Sequence, residues 1–540
     1  MFKTLLLATA LTAVTAPALA AAPTTTAERD ARIDALQAQI NAIAVELATL
    51  RAGGSPSSAL SPAGKSTATA TVPATTTPTS PATAGNPALA ATAKPFGSGP
   101  ALAKIDAGRP VIASADGRYT AGLLAVMQYD VADYFQSAAG PLATDLRRGG
   151  SAADSARARN LSNGSTFRRA RFGIAGKVFG DFEYTALFAF DGAGSEDNGH
   201  VQELWLQYSG LKPFHVRVGA FRPSLGLEDQ GSTNGMPFLE RPASTDVAAS
   251  LAGGDFREGG QIVANNDRLY ASAAITGRLV STAGAATIQP YDSQRSFIGR
   301  VAAVVYRDAD TLVHVGAHGS YVDHPANTGG PDAPAGTPQS VIQLRERPEL
   351  RVDGTRLVDT GAIAATHAFG AGVEAAVQYR NLLLQGEYER LGIDRGPSPL
   401  RDPRFSGFYV EGTWLLTGER RRYNGGNFAF DGPTISSSFN PRAGSWGAVE
   451  LGGRYSQLDL DNAAGAAGSA TPVDGIRGGR QRIAAAVVNW YLNPVMRIMF
   501  QYQYVDISRL SPNPVTFLTP VGAYIGQTFS TGAARFQFAF

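Results

Sequence analysis

From Gly117 to its last residue the chain is written in short stretches whose alternate residues are apolar, and no segment holds a helical period for long. In Phe182 to Phe190, one face carries Phe182, Tyr184, Ala186, Phe188 and Phe190, and the other carries Glu183, Thr185, Leu187 and Ala189. Leu204, Leu206 and Tyr208 alternate with Glu203, Trp205 and Gln207. Phe408, Val410, Trp414 and Leu416 alternate with Tyr409, Glu411 and Thr413, and Tyr502 and Tyr504 with Gln501 and Gln503. A period of two sustained over about 430 residues confines this part of the chain to strands.

A soluble sandwich alternates in the same way, but three features favour a transmembrane antiparallel β-barrel, an all-β fold. Aromatic residues fall near strand ends, as at Trp490-Tyr491 and Tyr502 to Tyr504, where an interfacial girdle would lie. Short turns at Lys212-Pro213 and Asn493-Pro494 contrast with long Gly-, Asp- and Asn-rich segments at 136–165, 323–342 and 424–445, which read as outer loops. The chain ends in Arg535-Phe536-Gln537-Phe538-Ala539-Phe540, a period-two strand that resembles the assembly signal of bacterial outer-membrane proteins. At about 27 residues per strand and connection the expected number is about 16 strands, with 14 and 18 open. Barrels of about 16–18 strands enclose water rather than side chains alone.

The N-terminal fifth reads differently. Lys3, the apolar run Leu5 to Val14 and Ala18-Leu19-Ala20 make residues 1–20 a secretory signal peptide. In 21–52, Ile33, Leu36, Ile40, Ile43, Leu47 and Leu50 form an a/d seam over three heptads, a periplasmic α-helical coiled coil whose Ile-rich seam favours three strands. Residues 53–110 are rich in Ala, Thr, Ser and Pro and read as a disordered linker. Residues 111–540 are the barrel, placed in the bacterial outer membrane.

The chain has no cysteine, which excludes thiolate chemistry. Acids nearly balance bases, at a formal charge of +2, so nucleic acid is not an expected partner. There is no Gly-x-Ser-x-Gly, P-loop or His-Glu-x-x-His, so no enzyme and no cofactor is expected. His314 and His318, with His324 nearby, are too loosely spaced for a metal site to be read from the histidines.

Arginine carries the chemistry: 41 of the 47 basic residues are arginine. Arg168, Arg169 and Arg171 cluster in one stretch, Arg345 and Arg347 in a second, and Arg480 and Arg482 follow Gly478-Gly479 in a third. Residues two apart share a strand face, and an arginine on the lipid face at mid-membrane costs about 2–4 kcal/mol, so these are expected in the bore or at its rim. Rows of guanidinium draw anions through a pore. The alternative is a charge-balanced general pore, with Glu183, Glu203, Glu346, Glu411 and Glu450 neutralising the arginines. A fourth run, Arg420-Arg421-Arg422, follows a strand and is expected at a mouth or headgroup surface.

In these stretches the chain resembles the phosphate-selective porins of the O and P type. The similar segments are FRRARFGIAGKVFGDFEYTALFAFDG at 167–192, LWLQYSGLKPFHVRVGAFRPSLGLED at 204–229 with FLERP at 238–242, and SFIGRVAAVVYRDADTLVHVGAHGSY at 296–321. LRERPELRVDGTRLVDTGAI at 344–363, FSGFYVEGTWLLTGERRRY at 405–423, GAVELGGRYSQLDL at 447–460 and GIRGGRQRIAAAVVNWYLNPVMRIMFQYQYVD at 475–506 continue it in order. The resemblance implies a homotrimer of 16-stranded barrels in outer-membrane lipid, with a loop folded inward to form a constriction. It also implies an arginine ladder that feeds a phosphate site of Arg, Lys and Asp. By motif, Arg168, Arg169, Arg171, Arg345 and Arg347 match the ladder. The segment after Phe221 matches the constriction, with Arg222 where relatives often carry Lys, and with Arg241 and Asp191 nearby. No lysine follows Lys212, a departure from the family's lysine cluster, so phosphate specificity does not follow from the resemblance. The function expected is passive diffusion of small anions, phosphate or polyphosphate foremost. The alternative is a weakly selective porin whose coiled coil tethers the membrane to the cell wall.

Overall fold

The computed structural model of the protein describes residues 102–106, 108–136, 161–190, 199–251, 254–280, 294–327, 339–512 and 520–540. The signal peptide, the coiled coil and nearly all of the linker lie outside the described residues. An antiparallel hairpin, Leu102–Asp106 with Arg109–Ala113, begins inside the segment read as linker and pairs with the first barrel strand.

One sheet holds eighteen strands; two form that hairpin and the other sixteen close the barrel. They are β1 (Thr120–Phe135), β2 (Gly164–Val178), β3 (Phe182–Ala189), β4 (His200–Leu211), β5 (Phe214–Phe221), β6 (Arg257–Asn265), β7 (Leu269–Leu279) and β8 (Arg295–Arg307). The second half is β9 (Thr311–His324), β10 (His367–Tyr379), β11 (Leu382–Asp394), β12 (Arg404–Leu415), β13 (Ala448–Asn462), β14 (Ile476–Tyr491), β15 (Met496–Ser508) and β16 (Gln527–Ala539). Each pairs antiparallel with its neighbour, and β16 closes on β1 from Ser530↔Phe135 to Ala539↔Val126. The terminal Phe540 exchanges two backbone hydrogen bonds with Ala125, so the aromatic end of the chain zips the seam shut. Closure leaves no strand edge unpaired, as a lipid-embedded sheet requires.

The alternation appears as two faces. Phe188, Leu204, Leu206, Val410, Trp414, Tyr502 and Tyr504 point out and are exposed, whereas Thr185, Gln207, Tyr409, Glu411, Thr413, Gln501 and Gln503 point in. The Trp490-Tyr491 pair divides: Trp490 stacks edge-on against Phe439 on the outside, and Tyr491 turns inward to bond Glu450.

Three connections fold into the bore. Between β5 and β6 lie a helical turn, α1 (Leu227–Gln230), and a helix, α2 (Ala243–Leu251). The segment between β9 and β10 sends Leu344, Leu350, Leu357 and Val358 against α2 and against Leu458, Ile483, Val487 and Val505 of the far wall. Residues 416–447, between β12 and β13, form the third. The expectation that 424–445 is an outer loop is corrected by strand polarity: β12 ends and β13 begins level with the short turns, at Leu382↔Trp414 and Ala448↔Tyr491. This connection enters from the turn end, and Phe428, Ala429 and Phe430 pack under α1 with Leu227, Tyr270 and Leu312.

Candidate functional site

The inward segments pack against the wall from β7 round to β16 and leave a lane along β3 to β7. A polar cavity of about 450 Å³ lies there, lined by Glu183, Glu203, Gln207, His215, Arg217 and Gln261 of the wall. Arg222, Ser224 and Gln230 of the first inward segment and Asn424 and Asn427 of the third complete it.

Above the cavity, arginines converge on one carboxylate. Arg168 donates through Nε and Nη2 to the two oxygens of Glu240 at 2.7 and 2.9 Å, and Arg535 donates Nη2 at 2.7 Å. Arg169 and Arg351 approach Glu240 at 3.7 and 3.5 Å. A local irregularity puts all three β2 arginines on one side: Gln128 pairs with Arg169 and Tyr129 with Phe167, so Arg168 is an extra, bulged residue. It turns inward beside Arg169 while Phe167 stays on the lipid side. Burial would raise the Glu240 carboxyl, but Arg168, Arg169, Arg535 and Arg351 outweigh it and hold the group well below its ordinary range. Asp130 also takes Arg535, at 2.6 Å, and Asp246 takes Arg351. Arg347 lies within electrostatic reach of Arg351, Arg356 and Arg168, with Glu346 3.8 Å away, so arginines and carboxylates are interleaved here.

Lower in the lane, arginines are held by neutral partners. Arg217 donates to Gln207 Oε1 at 3.0 and 2.7 Å and lies 4.2 Å over the Trp205 ring. Neither contact cancels its charge. Arg222 donates Nη2 to the Gly231 carbonyl at 3.1 Å, and its buried Nη1 has no hydrogen-bond partner. Burial first, then the like charge of Arg241, lowers its guanidinium from the usual range. Lys177 also faces inward, 3.5 Å from Glu183. Glu183 and Glu203 line the same cavity, so Arg217 and Arg222, which make no direct ion pair there among the described residues, have carboxylates as near neighbours.

Arg168, Arg169 and Arg171 share the inner face of β2. Arg222 lines the cavity, and Arg241 holds the first inward segment by donating to the carbonyls of Glu228 and Asp229 at 3.3 and 3.2 Å. Asp191 lies outside the described residues. Arg345 and Arg347 do not lie on a wall strand: Arg345–Glu346 is a two-residue strand of the second inward segment, with Arg345 exposed and Arg347 half-buried.

Arg480 and Arg482 are not pore-lining. They share a face, but it is the outer one, where Arg480 pairs with Asp459 at 2.6 Å and Arg482 with Asp506 at 3.3 Å. Gln481, Ile483, Ala485 and Val487 take the inner face because the inward segments pack there. In the fourth basic run, Arg420 bonds the Ala309 carbonyl at a short turn and Arg422 is exposed, as a mouth position requires, but Arg421 departs from it. Arg421 is buried in the bore and donates to both oxygens of Glu450 at 2.7 and 2.8 Å, because its segment folds inward.

Four side chains that matter were not legible in the sequence. Glu240 sits inside the FLERP stretch next to Arg241, and only the fold brings it to β2 and β16. Glu374, Glu387 and Glu389 meet His314 and His318 on the inner wall, although the two histidines alone carried no signal. The strand period of β10 and β11, which places all three glutamates inward, was the available clue.

The family model described as phosphate-selective porin O and P matches residues 149–540. Porin O of Pseudomonas aeruginosa is 24% identical over 374 residues, covering 66% of this chain and 79% of that protein. Among solved structures, an anion-selective porin from Comamonas acidovorans is 12% identical, with a TM-score of 0.44, covering 78% of this chain and 100% of that one. Pseudomonas putida OprB is 9% identical with a TM-score of 0.42, over 78% and 94% of the two chains.

Proposed function

Since this chain belongs to the phosphate-selective porin O and P family, and so lies in the bacterial outer membrane as a porin, we propose that it conducts small anions by passive diffusion, with phosphate or polyphosphate the preferred solute. The family and the fold make it a channel rather than an enzyme. The arginine-rich β2 face and its Glu240 node gather anions at the entrance of the lane. Arg222 and Arg217 then take them over one at a time, each exchanging part of the ion's water for guanidinium hydrogen bonds. The observation that carries the reading is Arg222, which lines the cavity and whose side-chain hydrogen bond among the described residues goes to the neutral Gly231 carbonyl. A phosphate oxygen in the cavity would take a charge-assisted bond from a guanidinium so placed. The functional unit would be a homotrimer, and the arginines, rather than lysines, would set the selectivity.

Planar-bilayer recording tests this. In a salt gradient the reversal potential should favour anions, and added phosphate should block chloride current. A cation-favouring potential together with no phosphate block would defeat it.

One observation favours a second reading, a weakly selective general pore. Arg300, Arg421, Arg454 and Arg535 are each matched to a buried carboxylate. If the entrance cations are balanced as well in solution, the reversal potential will sit near zero.

A further inference from the structure

Behind α1, three neighbouring strands bring an imidazole and two carboxylates to one height. His318 of β9 pairs with Gly372 of β10, and Gly372 pairs with Glu389 of β11. Glu387 lies two residues along the same face. The ligating atoms of His318, Glu387 and Glu389 all lie within 4.8 Å of one another, and all three residues are buried.

With His318 neutral, carboxylates outnumber cations around them. Glu374 is taken by Arg300 at 2.7 Å. Glu387 accepts only uncharged donors: the amides of Leu227 and Glu228 at 2.6 and 3.1 Å, and the Tyr409 hydroxyl at 2.9 Å. Glu389 bonds His318 Nε2 through Oε1 at 2.8 Å, while its buried Oε2 has no partner. Buried carboxylates are paired or coordinate metals; with His318 neutral, as a metal ligand must be, the cation here is short among the described residues.

Space and orientation agree. A side chain at Gly372 would bring its Cβ to 2.2 Å from His318 Nε2 and 2.6 Å from Glu389 Oε2, so glycine lets the imidazole and the carboxylate close together over one point of the backbone. His318 Nδ1 lies 3.3 Å from Glu374 Oε2, which leaves Nε2 aimed at Glu389. A carboxylate behind a histidine is the arrangement that orients an imidazole for a metal.

We propose that His318, Glu387 and Glu389 form a binding site for a first-row divalent metal, with Zn²⁺ the best match to one imidazole nitrogen and two carboxylates. The site is independent of which anion the pore carries. Since Glu387 also holds the amides at the start of α1, the ion would tie the barrel wall to the constriction.

The test uses the full chain, purified in detergent, stripped with a chelator and titrated with zinc chloride against a chromophoric competitor. Saturable uptake of one zinc per chain is expected, unaffected by excess Mg²⁺. Glu389→Gln and His318→Gln should each weaken it by at least about tenfold, while keeping the heat-modifiable mobility of a folded barrel. If either variant fails to fold, zinc-edge absorption on the unmodified chain decides, with a shell of one imidazole and carboxylate oxygens expected. No saturable uptake, equal binding by the folded variants, or a shell without histidine would each overturn the site and leave the cluster neutralised by protons.

Discussion

The filled and the open sides of the bore use the same residue for opposite ends. On the filled side, Arg421 is locked to Glu450, Arg454 to Glu349 and Arg535 to Asp130, each pair buried at the junction of an inward segment or strand with the wall. On the open side, Arg217 and Arg222 rest on an amide, an aromatic ring and a backbone carbonyl, and line water. A guanidinium with a buried carboxylate is a staple, and its field is spent locally. One with neutral partners keeps its field for a passing ion. On the proposed function, selectivity would depend on what each arginine leans on, more than on how many there are.

The largest effect is expected where a staple loses its acid. Glu450→Gln leaves Arg421 buried beside an amide, together with Asn489 and Tyr491, which also bond Glu450. Breaking a buried pair from one side costs about 3–5 kcal/mol. The guanidinium midpoint of the detergent-solubilised barrel should fall accordingly, with anion preference little changed in the molecules that remain folded. An unchanged midpoint would dissolve the distinction between the two sides.

The Glu240 node sits on the border between them and answers to pH. Its carboxyl is held below the ordinary value of 4.5, so the stability it contributes is present above that value and is lost as pH falls through its lowered folded value. Each unit of depression corresponds to about 1.4 kcal/mol. Protease access to 222–256 should therefore stay low at neutral pH and rise only in strong acid. In Glu240→Gln the same access should be high throughout and flat with pH.

Arg222→Ala tests the open side. Removing an unspent guanidinium should raise the phosphate concentration for half-block of chloride current by about tenfold, equivalent to about 1.4 kcal/mol, with the denaturation midpoint nearly unmoved. Arg222→Lys, a point charge without the fork, should recover the anion preference but only part of the phosphate block. A fall in stability as large as that of Glu450→Gln would make Arg222 another staple.

Much of this was legible in the sequence, and the limits have physical causes. A period of two is local, so the strands, their outward aromatics and the closing Phe540 could be read directly. The inward face is settled by long-range packing. On β14, Ile483, Ala485 and Val487 face in while Ala484, Ala486 and Val488 face out, and with both faces apolar the pattern could not choose for Arg480. Arg168 was placed inward by a bulge, which an unbroken alternation would have denied. Arg421 followed a strand and looked like a rim residue, because nothing local says that 416–447 turns back into the bore. Glu240 needed three distant segments to meet.

The smallest effect is expected outside the barrel, at Arg480 and Arg482, and there the comparison is sharpest. Their charges are real and their spacing is that of a ladder, yet they face away from the water lane. Both are more than a third exposed, and their partners Asp459 and Asp506 are only half-buried. Ion pairs of this kind contribute about 0–1 kcal/mol. The double change Arg480→Ala with Arg482→Ala should leave the reversal potential and the phosphate block unchanged, and shift the denaturation midpoint only slightly. If instead it weakened phosphate block as much as Arg222→Ala, the strand parity of β14 would have to be reversed, and with it the packing of Ile483 and Val487 against the inward segments. A parity error on one strand moves every side chain on it, so this null result constrains the register of the whole far wall.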